Sequence, residues 1–193
     1  MEKRQTTTSG MEWNTFLGLS QRLKDDKLHR DYLLITMGCY FGLRISDLLS
    51  IKWEDILNRT DLTIKESKTK KSRVITFNPK VIDAINHSSK ELIKKDGHWK
   101  SEYVFANQWG GQLSVSYVNK RLKVIFSKYH VRVQNPSSHT LRKTFGRRIH
   151  EMDGQSERSL IFLADIFGHS STAITRLYIG ITQEKIKNTY LNL

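Results

Sequence analysis

The sequence predicts a mainly α-helical fold with a small antiparallel β-sheet, an α+β domain. Three observations predict it. Only two prolines occur in 193 residues, which leaves room for long helices. Apolar residues recur roughly every three to four positions along most of the chain, the period of a helix with one buried face. Two β-prone runs, Leu62–Glu66 and Val74–Phe77, flank a polar, basic stretch, as the arms of a hairpin do. At about 150 residues per domain the length fits a single domain, one that buries roughly 70% of the surface its unfolded chain exposes.

The elements follow in order. Residues 1–10 are polar and read as a tail or linker remnant, with one domain over 11–193. Met11–Lys24 is an amphipathic helix with Met11, Phe16, Leu19 and Leu23 near one stripe. Leu28–Leu43 is a largely buried helix, and Cys39 within it is a small core residue. A short helix covers Ser46–Ile51. The hairpin turn lacks glycine, so its loop is longer than two residues. Pro79 starts a helix to about Lys95. Val104–Phe105 precedes a turn at Trp109-Gly110-Gly111, and Ser114 caps a helix to Lys128. Ser138 or His139 opens a helix to about Met152, and Ser159–Phe167 is a helix stopped by Gly168. Ser171–Leu177 is short and helical with Tyr178 just beyond it, and Thr182–Tyr190 is a final helix.

Charge narrows the partner. The formal net charge is +13. From Tyr103 to His150 there is no acid, against nine Lys and Arg, and Lys65–Arg73 holds five basic residues against Glu66 alone. Two single-sign patches suit a surface that follows a phosphate backbone. A lone cysteine fits a reducing compartment. The longest apolar run, Tyr32–Leu43, has 12 residues, whereas a membrane span needs about 20. The expected setting is soluble and intracellular, without a membrane.

The chain has no Gly-rich phosphate loop, no HExxH and no Cys/His metal spacing. The acid-free stretch also lacks the carboxylates of a two-metal nuclease. Phosphoryl chemistry here falls to Arg, Lys and His, and three segments supply them. In Gly42-Leu43-Arg44-Ile45-Ser46-Asp47-Leu48-Leu49, Arg44 stands between apolar helical runs and must be functional or paired, most simply with Asp47. In His139-Thr140-Leu141-Arg142, a group titrating near neutrality shares a helix face with a bidentate phosphate clamp. In Gly168-His169-Ser170-Ser171-Thr172, His169 precedes Tyr178 by nine residues. Each segment alone is weak.

In this order and spacing the segments resemble the catalytic domain of the tyrosine recombinases, the phage-integrase family of site-specific DNA recombinases. The likeness runs from about Met11 to the C-terminus. The family's Arg, hairpin Lys, His-x-Leu-Arg, Gly-His and Tyr fall on Arg44, Lys68, His139, Arg142, His169 and Tyr178. Lys68 is chosen because Lys68-Thr69-Lys70-Lys71-Ser72-Arg73 reproduces the hairpin spacing, with Lys70 and Lys71 as alternatives. Phe167 stands where the family often has Leu, and Lys143 where it often has His or Arg.

The resemblance implies a DNA breaking-rejoining core that works without metal or cofactor. Tyr178 would attack phosphorus while Arg44 and Arg142 clamp the phosphate. His139 would accept the phenol proton, Lys68 would protonate the leaving 5′-oxygen, and His169 would hydrogen-bond the phosphate. The product would be a 3′-phosphotyrosyl bond.

Lys70, Lys71, Arg73, Lys120, Arg121 and Lys143 are the expected DNA-binding cations. The partner is double-stranded DNA, and a homotetramer on DNA would form through the C-terminal stripe Ile181, Ile186, Tyr190 and Leu193. The expected location is the bacterial cytoplasm, at the nucleoid. Typical members carry an N-terminal DNA-clamping domain that this sequence lacks, so the chain reads as a fragment of a longer integrase or a naturally short member. Type IB topoisomerase-like relaxation, and a DNA-binding fragment inactive without the N-terminal domain, are the alternatives.

Overall fold

The computed structural model describes residues 7–95, 98–99, 101–181 and 190–192. The helices and strands are α1 (Trp13–Asp25), α2 (His29–Phe41), α3 (Ile45–Leu49), α4 (Trp53–Ile56), β1 (Asp61–Lys65), β2 (Ser72–Thr76), α5 (Pro79–Leu92), β3 (Lys94–Lys95), β4 (His98–Trp99), α6 (Val115–Lys128), α7 (Ser138–Met152), α8 (Glu157–Phe167) and α9 (Thr172–Ile179). Among the described residues no helix is long and apolar enough to cross a membrane.

Helix α2 is the axle of the fold. Every residue from Asp31 to Cys39 is buried, because a helix apolar all round has no face to give to water. α1, α5 and α7 pack around it, and Cys39 is fully buried there. A second, smaller apolar cluster joins Leu160, Leu163, Phe167, Ile179 and Ile181, with Phe145 and Tyr178 against it. α8 and α9 thus rest on a base of their own.

The caps place the elements. Asn78 accepts from the Lys80 N–H with Pro79 at the first helical position, and Ser114 accepts from the Tyr117 N–H. β1 and β2 pair antiparallel from Asp61↔Thr76 to Lys65↔Ser72. Their connection spans Glu66–Lys71 and turns at Lys70, whose φ is +58°.

Several expectations change. α5 stops at Leu92, and the backbone of Lys94–Lys95 pairs with His98–Trp99 where the helix was expected to continue. α4 was not foreseen, since four residues are too few to show a period. Tyr178 lies inside the last turn of α9, because the helix runs on until Gly180 stops it at φ +83°. The expected final helix falls almost wholly on 182–189, outside the described residues. Residues 8–10 are not a loose tail: Ser9 N–H donates to the Gln134 carbonyl at 3.0 Å, and Thr8 Oγ1 donates to the Asn135 carbonyl at 2.9 Å.

Candidate active site

The site forms where α7, the α2–α3 turn, the β1–β2 hairpin and the α8–α9 turn meet. Ser137 caps α7 by accepting from the His139 N–H, which puts His139 and Arg142 on its first turns. Arg142 is buried. Its Nη1 donates to the Gly42 carbonyl at 2.5 Å, its Nη2 to the Phe167 carbonyl at 3.1 Å, and its guanidinium lies 4.3 Å from the Phe167 ring centroid. Burial, with help from Arg44, brings its pKa down to about 10 against the pull of Tyr178 and Glu66, so it remains a cation at neutral pH.

Gly42 ends α2 in the left-handed region, φ +58°, which leaves its carbonyl facing Arg142. A Cβ there would lie 2.3 Å from Phe145 Cδ1, so glycine is needed for space as well as for conformation.

Arg44 is the N-cap residue of α3, and its extended backbone (ψ 147°) carries the side chain off the helix. Its Nη2 donates to the Phe167 carbonyl at 2.9 Å. Both arginines therefore bind the last carbonyl of α8, the negative end of a helix dipole. Arg44 Nη1 meets Glu66 Oε2 at 2.5 Å. Asp47, the simpler partner by sequence, instead accepts from the Ser67 N–H at 3.0 Å and anchors the hairpin.

Glu66 is the residue that sequence reading missed. Its side chain is 5% exposed and also accepts from Arg73 Nη1 (3.4 Å) and Thr69 Oγ1 (3.1 Å). Its signal was its solitude: one acid in a run of five cations. Gly168, at φ +65°, faces Thr69, whose methyl lies 3.0 Å from where a Cβ would stand, so the hairpin loop packs directly on the α8–α9 turn.

Tyr178 Oη lies 3.2 Å from His139 Nδ1. Its ring packs edge-on against Phe167 and His169, with centroids 5.4 and 5.2 Å away. Burial raises the phenol pKa, and Arg142 and Arg44 oppose that rise. His139 is pushed below the usual histidine range by burial, then by Lys143 and Arg142. His169 is lowered by burial, then by Arg142, Arg44 and Lys68, and its Nδ1 lies 3.0 Å from Thr175 Oγ1.

Arg44, Lys68, His139, Arg142, His169 and Tyr178 all line one cavity of about 330 Å³. Lys68 is exposed at its rim, whereas Lys70 and Lys71 are not in the lining, which separates it from its alternatives. A larger cleft of about 900 Å³, near Arg30, Tyr103 and Trp109, shares no residue with it.

The six expected DNA-binding cations divide evenly. Lys70, Lys71 and Lys120 are exposed. Arg73 is turned inward onto Glu66 and the Phe41 and Ile166 carbonyls. Arg121 donates to Asp31 through Nε (2.9 Å) and Nη2 (2.5 Å). Lys143 is buried and donates to the Thr8 carbonyl at 2.6 Å. These three side chains already have partners within the fold, and Arg73 and Arg121 keep 19% and 30% of their side-chain surface exposed. Among the described residues no three His, Cys, Asp or Glu gather as metal ligands do.

Two guanidiniums, two imidazoles and an ammonium thus line one cleft with a tyrosine hydroxyl, a set of groups suited to meeting an anion. The chain belongs to the phage integrase family, which matches residues 11–185. It is 30% identical over 165 residues to the probable integrase/recombinase YoeC of Bacillus subtilis (strain 168), covering 86% of this chain and 85% of that protein. It is 28% identical over 161 residues to tyrosine recombinase XerH of Campylobacter jejuni, covering 82% of this chain but 43% of XerH. The XerA recombinase crystal structure shares the fold at a TM-score of 0.72 and 17% identity, over 99% of this chain and 65% of that one.

Proposed function

We propose that this protein is a site-specific DNA recombinase that cleaves and rejoins strands through Tyr178. One observation carries the reading: Tyr178 Oη stands 3.2 Å from His139 Nδ1, in a cavity that both arginines line. Phosphodiesters repel nucleophiles by their charge. Arg44 and Arg142, already held in place, would meet the non-bridging oxygens and stabilise the charge that grows in the transition state.

The Oη–P bond forms as the P–O5′ bond breaks. The phenol proton passes to neutral His139, and Lys68 gives a proton to the departing 5′-oxygen. His169 hydrogen-bonds the phosphate. The 3′-phosphotyrosyl ester keeps the bond energy, so a second strand's 5′-hydroxyl reverses the step without a nucleotide or metal cofactor.

Double-stranded DNA is the proposed partner, supported by the cationic rim and by relatives such as XerH, whose solved complexes hold its difH substrate. A homotetramer on DNA is the proposed assembly. Of the expected C-terminal stripe, Tyr190 is exposed and open to a second copy, whereas Ile181 is buried in the chain's own α8–α9 cluster and Ile186 and Leu193 lie outside the described residues. The bacterial cytoplasm, at the nucleoid, is the proposed location.

The test is covalent trapping on nicked duplexes from DNA flanking the gene, in EDTA, read on a denaturing gel. An adduct with wild type and none with Tyr178→Phe is the expected result. An adduct that persists in the Phe variant overturns the assignment. DNA binding without an adduct in either protein favours the second reading, a DNA-binding chain that does not cleave by itself. Synapsis of two duplexes separates recombination from topoisomerase-like relaxation.

A further inference from the structure

Lys143 follows His139 by one helical turn on the same face of α7. It is 8% exposed, and burial lowers its ammonium pKa below the usual lysine range. Its Nζ lies 5.0 Å from the centroid of the Tyr178 ring, within range of a cation–π contact. The same ammonium donates to the Thr8 carbonyl at 2.6 Å. So one side chain touches both the ring of the proposed nucleophile and the segment that precedes α1.

That segment is a strap fastened along α7. Thr8 Oγ1 lies 2.9 Å from Oγ of Ser137, the α7 N-cap. Ser9 and Gln134 exchange two hydrogen bonds, Ser9 N–H to the Gln134 carbonyl (3.0 Å) and Gln134 N–H to Ser9 Oγ (2.9 Å). Met11 N–H donates to Thr144 Oγ1 at 2.9 Å. At Gly10 the backbones are so close that a Cβ would lie 3.1 Å from both Lys143 C and Thr144 N.

We propose that Lys143 is a positioning residue through which the N-terminal strap sets the catalytic tyrosine. The Thr8 carbonyl holds the ammonium over the Tyr178 ring, and the ammonium keeps His139 neutral and able to take the phenol proton. The proposal rests on reading Tyr178 as the nucleophile. Lys143 and Arg142 face His139 from α7, Tyr178 faces it from α9, and His169 packs on the same tyrosine ring. A protonated His139 has no lone pair for the phenol proton, so a buried cation one turn away favours the form that works. Displacement of residues 8–10 would thereby reach the nucleophile through a single hydrogen bond.

The test needs no DNA. His139 is titrated by its Cε1–H NMR signal, assigned with His139→Gln, in wild type, Lys143→Met, Lys143→Arg and Gly10→Val. The expected result is an upward shift of the His139 pKa in Lys143→Met, little change in Lys143→Arg, and a smaller upward shift in Gly10→Val, whose side chain lifts the strap. An unmoved His139 in a folded Lys143→Met, or an equal shift in Met and Arg, overturns the proposal, because packing rather than charge would then be at work. Should Lys143→Met fail to fold, Gly10→Val against Lys143→Arg decides it.

In single-turnover cleavage the rising limb of the pH–rate profile should move to higher pH in Lys143→Met. A merely structural defect would lower the rate equally at every pH. Failure of Tyr178 trapping would remove the nucleophile reading but leave the NMR shift, so the two failures are distinguishable.

Discussion

Replacing Glu66 by Gln removes one negative charge and almost no volume. The side chain is 5% exposed and stands between Arg44 and Arg73, themselves 21% and 19% exposed. Without it, both guanidiniums lie close to Arg142 with no carboxylate bonded to them, in a region that water reaches poorly. Removing one partner of a buried pair costs about 3–5 kcal/mol, mostly the penalty of the charge left behind. Gln keeps one acceptor oxygen, which argues for the lower end, about 3 kcal/mol. In a domain of this size each kcal/mol lowers Tm by about 2–4 °C, so the expected loss is roughly 6–12 °C. Urea unfolding of the two proteins checks it: the midpoint should fall with an unchanged slope. A loss below about 1 kcal/mol would refute the reasoning, because it would mean that the Arg44–Glu66–Arg73 cluster is solvated and worth no more than a surface pair.

Gly42→Ala should destabilise by roughly 2–5 kcal/mol, the sum of a left-handed non-glycine residue and an overpacked core, since its Cβ would collide with Phe145. Gly18→Ala is the control: it sits exposed in α1 with nothing within 4 Å of the new Cβ, and a gain of about 0.5–1 kcal/mol is expected. Stability should also fall as pH drops below 6.5. The folded pKa values of His87, His139 and His169 all lie below the ordinary histidine value, in each case through burial first. The unfolded chain therefore takes up protons first, and the stability present above pH 6.5 is lost as pH falls through the folded values. Denaturant midpoints between pH 7 and 5 check this, and His139→Gln with His169→Gln should flatten the slope.

The local parts of this protein were legible from its sequence. Ser114, Gly168 and Ser171 mark helix ends because a cap is decided by a few adjacent residues. Arg44, His139, Arg142, His169 and Tyr178 were picked out otherwise, by the resemblance of their order and spacing to the phage-integrase family, and all five line one cavity with Lys68. Cys39 lies in the core, as the uncharged run around it implied.

Which cation does what was decided only by tertiary structure. Arg44 bonds Glu66, 22 residues away, rather than Asp47, three away, because its extended N-cap backbone points the side chain off α3. Arg73, Arg121 and Lys143 counted as surface charge in a composition, yet each donates to a group distant in sequence: the Phe41 and Ile166 carbonyls, Asp31 and the Thr8 carbonyl. Thr8–Gly10 looked like a tail because its hydrogen-bond partners lie more than 120 residues on. Helix periods and caps are properties of neighbouring residues, whereas the partner of a long charged side chain is set by whatever the folded chain brings within about 3 Å of its tip.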